Sequence, residues 1–462
     1  MAPDTMKLPA NTREGGFGWD EFNGATAPGR PKMLREVNAR RVLTLLRQQG
    51  PCSRADLARI SGLSAPTISS GVAYLDKRRL IESMGLGSSN GGRPPKLLRF
   101  NAQAGYVAGA DVGTSLVRVA LADLNGTLIG EWQASTKNHT RPERVSSLIA
   151  DSIRKLQERH KIKPKRLLTL AAGVPGITDT RAGVVLSAPN LSSGWRSIPL
   201  RQMLEKETGI PTVVENDVNL AAIGESWRGT AQGVANFVFL TIGTGVGAGI
   251  FVDGRLYRGA DWAAGEIGYL YVPGTAETPL AIRRPGSLEE SIAEGGIRRA
   301  WQRLTNGNRR HNIPAERELA ATEILDLAER DDRRARAVLQ RTARILADAI
   351  TNVCVILNCS LVVFGGRVGS NAALFEATRR IVQRNEYYRP RLALSALGPK
   401  APLQGAIWLA LAGAEDHLLP SAFAAPLTSA HGTYPGLLRG TALQAEQSRT
   451  AGASAAGSSE TS

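Results

Sequence analysis

The stretch Ala108-Gly-Ala-Asp-Val-Gly-Thr-Ser-Leu-Val-Arg-Val-Ala-Leu121 reads as two apolar strands joined by a turn of small residues. A stretch of the same design, Phe237-Val-Phe-Leu-Thr-Ile-Gly-Thr-Gly-Val-Gly-Ala-Gly-Ile-Phe251, follows about 130 residues later. From about Tyr106 onward, apolar β-branched runs such as LLTLAAGVPG and LVVFGG alternate with long amphipathic segments. Strands alternating with helices indicate an α/β architecture. The recurrence of the Gly-bearing strand pair predicts two related lobes.

The rest of the chain sets the bounds. At 462 residues it is long enough for about three domains. It is 42% hydrophobic, 21% charged and 5% aromatic, which excludes a collagen-like or wholly disordered chain. The three cysteines, Cys52, Cys354 and Cys359, form no disulfide framework and no metal-ligand spacing, which fits a reducing cytoplasm. No secretory signal is expected, and no 18-residue apolar run is present. The run from Ile345 to Phe364 contains Asp348, Asn352 and Asn358 and reads as a helix followed by a strand. Residues 1–31 are expected to be a disordered leader, and the Ala/Ser/Thr/Gly-rich residues 421–462 a disordered tail.

The net charge of +16 points to a polyanionic partner: DNA, RNA or a membrane surface. Between Arg30 and Phe100, fourteen basic residues face four acidic ones, a local charge of +10, so the partner is expected there. In this segment an apolar stripe Val42, Leu43, Leu45, Leu46 predicts a helix over 38–49, ending at Gly50-Pro51. Ser53 and Asp56 approach a capping box for a second helix through Leu57, Ala58 and Ile60. After the turn Ser61-Gly62-Leu63, Ser64 caps a third helix with Pro66 in its first turn and Ile68, Val72 and Leu75 buried. That is a helix-turn-helix. The following LIESMGLGSSNGGRPPKLLRF reads as two strands and a hairpin loop, the wing of a winged helix. Residues 32–104 are thus an α+β winged-helix domain for operator DNA. Ser64, Thr67, Ser69 and Ser70 are placed at base edges or phosphates, and Arg93 in a minor groove. The competing reading is a helical bundle that binds protein with a merely solvated basic face.

Four segments of the body carry candidate chemistry. Ala110-Asp111-Val112-Gly113-Thr114-Ser115 is a strand end, a carboxylate and a small-residue turn suited to phosphate or metal. Val214-Glu215-Asn216-Asp217-Val218-Asn219 delivers a carboxylate and two amides at a strand end. Thr241 to Gly249 offers a Gly/Thr turn whose N–H groups would cradle phosphate. Phe364-Gly365-Gly366-Arg367 is a Gly-rich turn after a buried strand. Simpler readings stand beside them: the Gly-rich turns as tight packing, Asn216 and Asp217 as helix caps, and Gly243–Gly249 as plain hairpin chemistry; Glu266, in the separate stretch Gly265-Glu266-Ile267-Gly268, also reads as a surface carboxylate.

Taken in order, these segments resemble the ROK family of repressors, open reading frames and kinases, over roughly residues 37–414. The resemblance implies an actin-like (ribonuclease H-like), two-lobed sugar-kinase fold: lobe one over 105–230, and lobe two over 231–420 with its final helix packing back on lobe one. It also implies that the winged helix marks a repressor rather than a kinase. Asp217 matches the kinases' general base. Asn190, Asn216 and Glu266 match positions that hold sugar hydroxyls. Gly243, Thr244 and Gly245 match the ATP-phosphate turn, and Asp111, Gly113 and Thr114 the first phosphate turn.

This sequence departs from the pattern in three places. Thr114 stands where the kinases carry a second glycine. Tyr269 stands where they carry a zinc-binding histidine, and Leu280 to Glu289 lacks all three cysteines of the zinc element. No metal or cofactor is therefore expected, ATP binding is in doubt, and Tyr269 is expected to stack on or hydrogen-bond the sugar. Arg283 and Arg284 read as a solvated loop or as phosphate ligands. The expectation is a non-enzymatic, sugar- or sugar-phosphate-responsive repressor acting as a homodimer or homotetramer, with no membrane association. The alternatives are an active sugar kinase with a DNA-binding extension, and a body that serves only as an oligomerisation scaffold or protein-docking surface.

Overall fold

Ser53 and Asp56 close a reciprocal capping box: Ser53 Oγ accepts from the Asp56 N–H and the Asp56 carboxylate accepts from the Ser53 N–H, each at 3.1 Å. The structure is a computed structural model and describes residues 31–86, 94–136, 141–192, 194–275, 286–306 and 319–419. Residues 1–30 of the leader, the tail beyond 419, Arg93, Arg283 and Arg284 lie outside the described residues.

The first domain comprises α1 (Pro31–Gln49), β1 (Cys52–Ser53), α2 (Arg54–Ser61), α3 (Ala65–Lys77), β2 (Ile81–Leu86) and β3 (Lys96–Phe100). Gly62 ends α2 in the left-handed region (φ 68°), a conformation glycine adopts without steric cost, and so sets the tight turn into α3. Ile68, Val72 and Leu75 bury the inner face of α3 against Val42, Leu43 and Leu46 of α1. β3 pairs with both β1 and β2, giving a three-stranded wing sheet. One expectation is corrected. The first helix starts at Pro31, seven residues before the predicted Asn38, so Leu34 and Val37 project into solvent and no apolar stripe announced those turns. α2 runs through Leu57, Ala58 and Ile60 as expected, with Leu57 and Ser61 in the core and Ile60 40% exposed.

Lobe one contains β4 (Tyr106–Val112), β5 (Leu116–Asp123), β6 (Leu128–Ser135), α4 (Pro142–Arg159), β7 (Leu167–Val174), β8 (Ile177–Asp179), β9 (Val184–Ser187), β10 (Arg196–Ile198), α5 (Leu200–Thr208) and β11 (Thr212–Asn216). α6 (Asp217–Arg228) leads into lobe two. That lobe has β12 (Phe237–Ile242), β13 (Val246–Val252), β14 (Arg255–Tyr257), α7 (Ser287–Ile292), α8 (Glu294–Asn306), α9 (Ala321–Leu327), α10 (Arg333–Leu357), β15 (Leu361–Gly365), α11 (Ala372–Val382) and β16 (Arg391–Leu394). α12 (Ala401–Leu418) is the last described helix.

The two main sheets have the same topology. In lobe one the order is β11-β7-β4-β5-β6, and in lobe two β16-β15-β12-β13-β14. In both, strands one to three form an antiparallel meander, and strands four and five add in parallel on the far side of strand one. The recurring strand pairs of the sequence are β4–β5 and β12–β13, and Ala108 lies opposite Leu121 as Phe237 lies opposite Phe251. The lobes are thus a duplicated unit.

α6 and α12 are the helices on which the lobes meet. A Cβ on Gly249 of β13 would press on Ala222 and the Val218 carbonyl of α6. Gly224 of α6 faces the Ala401 carbonyl, and Gly405 of α12 faces the Leu220 carbonyl, so the two helix backbones touch with no side chain between them. α12 also covers β4 and β7 of lobe one, where Gly109 leaves room for Ile407.

Candidate functional site

Three parallel strands of lobe one end side by side. Asp111 on β4 lies opposite Gly173 on β7, which lies opposite Glu215 on β11. The carboxyl ends of such strands are where open α/β sheets bind ligands. α6 begins there, and Gly173 is small for that reason: a Cβ would meet Leu220 and lie 3.7 Å from Asp217 Cα. Asn216 is the N-cap of α6. Its Oδ1 accepts from the Asn219 N–H and its Nδ2 donates to the Gly176 carbonyl, each at 2.9 Å. Its amide is therefore fixed in orientation, with half its bonding capacity left over. Asp217, the first residue of α6, is half-buried, and its Oδ1 accepts from the Val218 N–H at 2.9 Å.

Beneath them Glu215 is 1% exposed. It accepts from the Asn216 N–H (2.9 Å), from Asn219 Nδ2 (3.0 Å) and from Arg258 Nε of lobe two (2.7 Å). A buried carboxylate needs such saturation, because charge without partners is far more costly away from water.

Lobe two supplies the opposite wall. Glu266 precedes the short turn Ile267–Tyr269, and Tyr269 is 43% exposed. Glu289 on α7 accepts from the Val246 N–H at 2.9 Å. A Cβ on Gly245 would lie 3.0 Å from both Glu289 Oε2 and Asn190 Nδ2, so the exposed Asn190 of lobe one faces the β12–β13 turn across the cleft. Asn190, Asn216, Asp217, Glu266 and Tyr269 are all brought to this cleft.

The site is acidic. Burial, with Asp111 and Glu266 nearby, pushes Asp217 up to about 7. Burial and Glu289 push Glu266 up to about 6. Burial also raises Asp111 and Glu289, although Arg118 Nη1, 3.0 Å from Asp111 Oδ2, opposes the rise at Asp111. Burial, then Glu266 and Glu289, raise the Tyr269 hydroxyl. Among the described residues Asp217, Glu266 and Glu289 make no ion pair.

The two phosphate-type turns are partly self-satisfied. Gly113 N–H donates to the Leu116 carbonyl (2.8 Å), Gly243 N–H to the Gly245 carbonyl (2.9 Å), and the Val246 N–H is taken by Glu289. Thr114 and Thr244 are exposed. The Glu294 N–H donates to the Gly243 carbonyl at 2.9 Å, and its carboxylate pairs with Arg367 of the Gly365-Gly366 turn. An acidic side chain thus stands at the turn expected to hold phosphate. Among the described residues no group of three or more His, Cys, Asp or Glu is arranged to hold a metal ion.

Sequence reasoning missed Arg118, Arg258, Glu289 and Glu294, and gave Glu215 no role. Arg118 was readable, since a three-residue turn after Val112 sets it opposite Asp111 in the β4–β5 ladder. Arg258 carried no local signal.

On the first domain, Ser64 Oγ accepts from the Thr67 N–H at 3.4 Å and lies 2.9 Å from Thr67 Oγ1. Ser69 and Ser70 are exposed one turn further along α3. This domain is tied to α12. Arg47 on α1 stacks on Phe100 and meets Glu415 at 2.9 Å. Arg40 meets Glu415 at 3.6 Å and Asp416 at 3.4 Å, and donates to the Leu419 carbonyl just past the helix end.

The sequence pattern of the ROK family matches residues 107–412, the whole two-lobed body. The chain belongs to the ROK family. Among its relatives, the xylose repressor of Caldicellulosiruptor bescii is 28% identical over 387 residues, 82% of this chain and 96% of that protein. The glucokinase of Halalkalibacterium halodurans is 30% identical over 315 residues, 66% of this chain and 94% of that enzyme. The shorter alignment with the kinase differs from the repressor's by about the length of the winged-helix domain. A crystal structure of a ROK family transcriptional regulator, homologous to the E. coli MLC protein, superposes with a TM-score of 0.69 at 24% identity, covering 84% of this chain and 98% of that one. The fold of that regulator is thereby the fold of this chain. No described helix is long and apolar enough to cross a membrane.

Proposed function

We propose that this ROK protein is a sugar-responsive transcriptional repressor. The observation that carries the reading is the path from cleft to DNA-binding domain: Asp217 starts α6, α6 interlocks with α12 at Gly224 and Gly405, and α12 holds α1 through Glu415 and Asp416. A ligand that changes how the lobes meet on α6 and α12 shifts the seat of α1, and with it the DNA affinity. Its xylose-repressor relatives support the same reading.

In this reading Asn190, Asn216, Asp217, Glu266 and Tyr269 bind the effector. The amides and carboxylates pair with vicinal hydroxyls, and Tyr269 covers a ring face. The cleft favours a neutral sugar over a sugar phosphate, because its carboxylates repel an added dianion. Ser69 and Ser70, with Ser64, Thr67 and Arg93, contact DNA. The repressor acts as a homodimer or homotetramer, as helix-turn-helix readers of two half-sites do.

A sugar kinase is the second reading. Asp217, held near neutrality, has the proton affinity of a general base. The Glu294–Arg367 pair at the phosphate turn speaks against it.

Calorimetric titration with neutral sugars and their phosphates, with and without Mg-ATP, tests the choice, run beside Asp217→Asn and Glu266→Gln. Saturable binding of one sugar without ATP turnover, weakened in both variants, is expected. Sugar-dependent ATP turnover that vanishes in Asp217→Asn makes the protein a kinase.

A further inference from the structure

The excess positive charge is not confined to the winged helix. The segment Arg154-Lys-Leu-Gln-Glu-Arg-His-Lys-Ile-Lys-Pro-Lys-Arg166 of lobe one carries seven lysines and arginines against one glutamate. All seven are exposed. The segment is the last two turns of α4 and the connection into β7. It is anchored by Ile153, Leu156 and Ile162, which are buried in the lobe-one core, so its cations are held on a rigid outer face. Among the described residues Arg159, Lys161, Lys163 and Lys165 make no ion pair. Unpaired like charges crowded this closely repel one another, and a polyanion relieves that repulsion.

The position of the cluster selects the polyanion. Arg166 donates to the Gln103 carbonyl in the link between the winged helix and β4, and its guanidinium lies 5.1 Å from the Tyr106 ring centre. The Gln103 N–H donates to Asn101 Oδ1 at 3.1 Å, and Asn101 Nδ2 donates to the Arg79 carbonyl at 3.0 Å. Arg79 closes the exposed basic run Lys77-Arg78-Arg79 at the end of α3. A continuous hydrogen-bonded chain of four residues therefore joins the basic end of the DNA-reading helix to the basic face of lobe one.

From this continuity we infer that the α4–β7 face of lobe one is a second, sequence-independent DNA-backbone contact, gripping duplex that flanks the site read by α3. The inference rests on DNA binding by the winged helix. It gives the sugar-binding lobe itself a hold on DNA, so that movement of the lobes acts on two sets of phosphate contacts.

The test is a salt titration of binding to a random-sequence duplex of about 40 base pairs, long enough for both contacts. The full-length protein is compared with the triple variant Arg159→Gln, Lys163→Gln, Lys165→Gln, whose side chains are exposed and leave the core untouched. Each phosphate contact contributes about 0.9 to the slope of log affinity against log salt, so the variant is expected to lose about 2–3 from that slope. Its affinity is expected to fall at least tenfold at low salt and to converge on the parent's at high salt. An unchanged slope in a parent that binds duplex overturns the inference and leaves the winged-helix reading standing. A parent that binds no duplex overturns both. Anionic phosphatidylserine vesicles form a second arm: loss of vesicle binding in the variant with DNA binding unchanged assigns the face to a lipid surface and overturns the DNA contact.

Discussion

Glu215 at the end of β11 and Arg258 just beyond β14 tie lobe one to lobe two: carboxylate and guanidinium are 2.7 Å apart, and each side chain is 1% exposed. The tie lies directly under Asn216 and Asp217, so the cleft floor and the joint between the lobes share one carboxylate. Removing one partner of such a pair strands a buried charge. Arg258→Met is expected to lower stability by about 3–5 kcal/mol in urea denaturation, and Arg258→Met with Glu215→Leu to recover part of the loss. A single variant as stable as the parent would show that the tie contributes nothing.

Asp217 makes stability depend on pH. An ordinary aspartate titrates near 3.8, and burial pushes this one up to about 7. The folded protein therefore holds the proton more tightly than the unfolded chain. The resulting stability is present in full below pH 4 and is lost as pH rises through about 7. Asp217→Asn is expected to match the parent near pH 4 and to exceed it by about 1–3 kcal/mol at pH 8. Denaturation curves at the two pH values check this, and equal differences at both would contradict it.

The crossing of α6 and α12 depends on the absence of side chains. Gly405→Ala would drive a methyl into the Leu220 carbonyl, whereas a Cβ at Gly243 meets nothing within 4 Å. Gly405→Ala is expected to cost about 1–3 kcal/mol through overpacking. Gly243→Ala is expected to stay within about 0.5 kcal/mol of the parent. Thermal unfolding of the pair separates a steric crossing from a general glycine effect.

Glu415 is the shared anchor of Arg40 and Arg47. In Glu415→Ala, sugar affinity and DNA affinity measured separately are expected to hold within about threefold. The change in DNA affinity caused by sugar, typically worth about 1–3 kcal/mol, is expected to shrink towards zero. Anisotropy titrations of DNA with and without saturating sugar report the difference. A full sugar response in the variant would remove α12 from the route.

Patterns whose physics is local were legible in the sequence. The caps Ser53 and Ser64, the Gly62 turn and the paired strands at Ala108 and Phe237 depend on neighbours within a few residues, and each was found where expected. The helix start at Pro31 was not, because its first turns are stabilised by no apolar stripe. The acidity of the cleft, the Arg258 tie and the α12 clamp were also hidden. Each joins residues far apart in sequence, and no spacing rule connects Glu215 to Arg258 or Arg40 to Glu415. Glu289 shows the intermediate case: its stretch was legible as a degenerate metal element, but its bond to Val246 appears only when α7 meets β13.

Arg40 and Asp416 are 376 positions apart in the chain. Synthesis proceeds from the N-terminal end, and domains generally fold as units as they emerge. The helix-turn-helix is therefore complete long before the helix that restrains it exists. On the proposed route, obedience to sugar is the last property this molecule acquires, and every nascent copy passes through an interval in which its DNA-reading surface exists without the helix that clamps it.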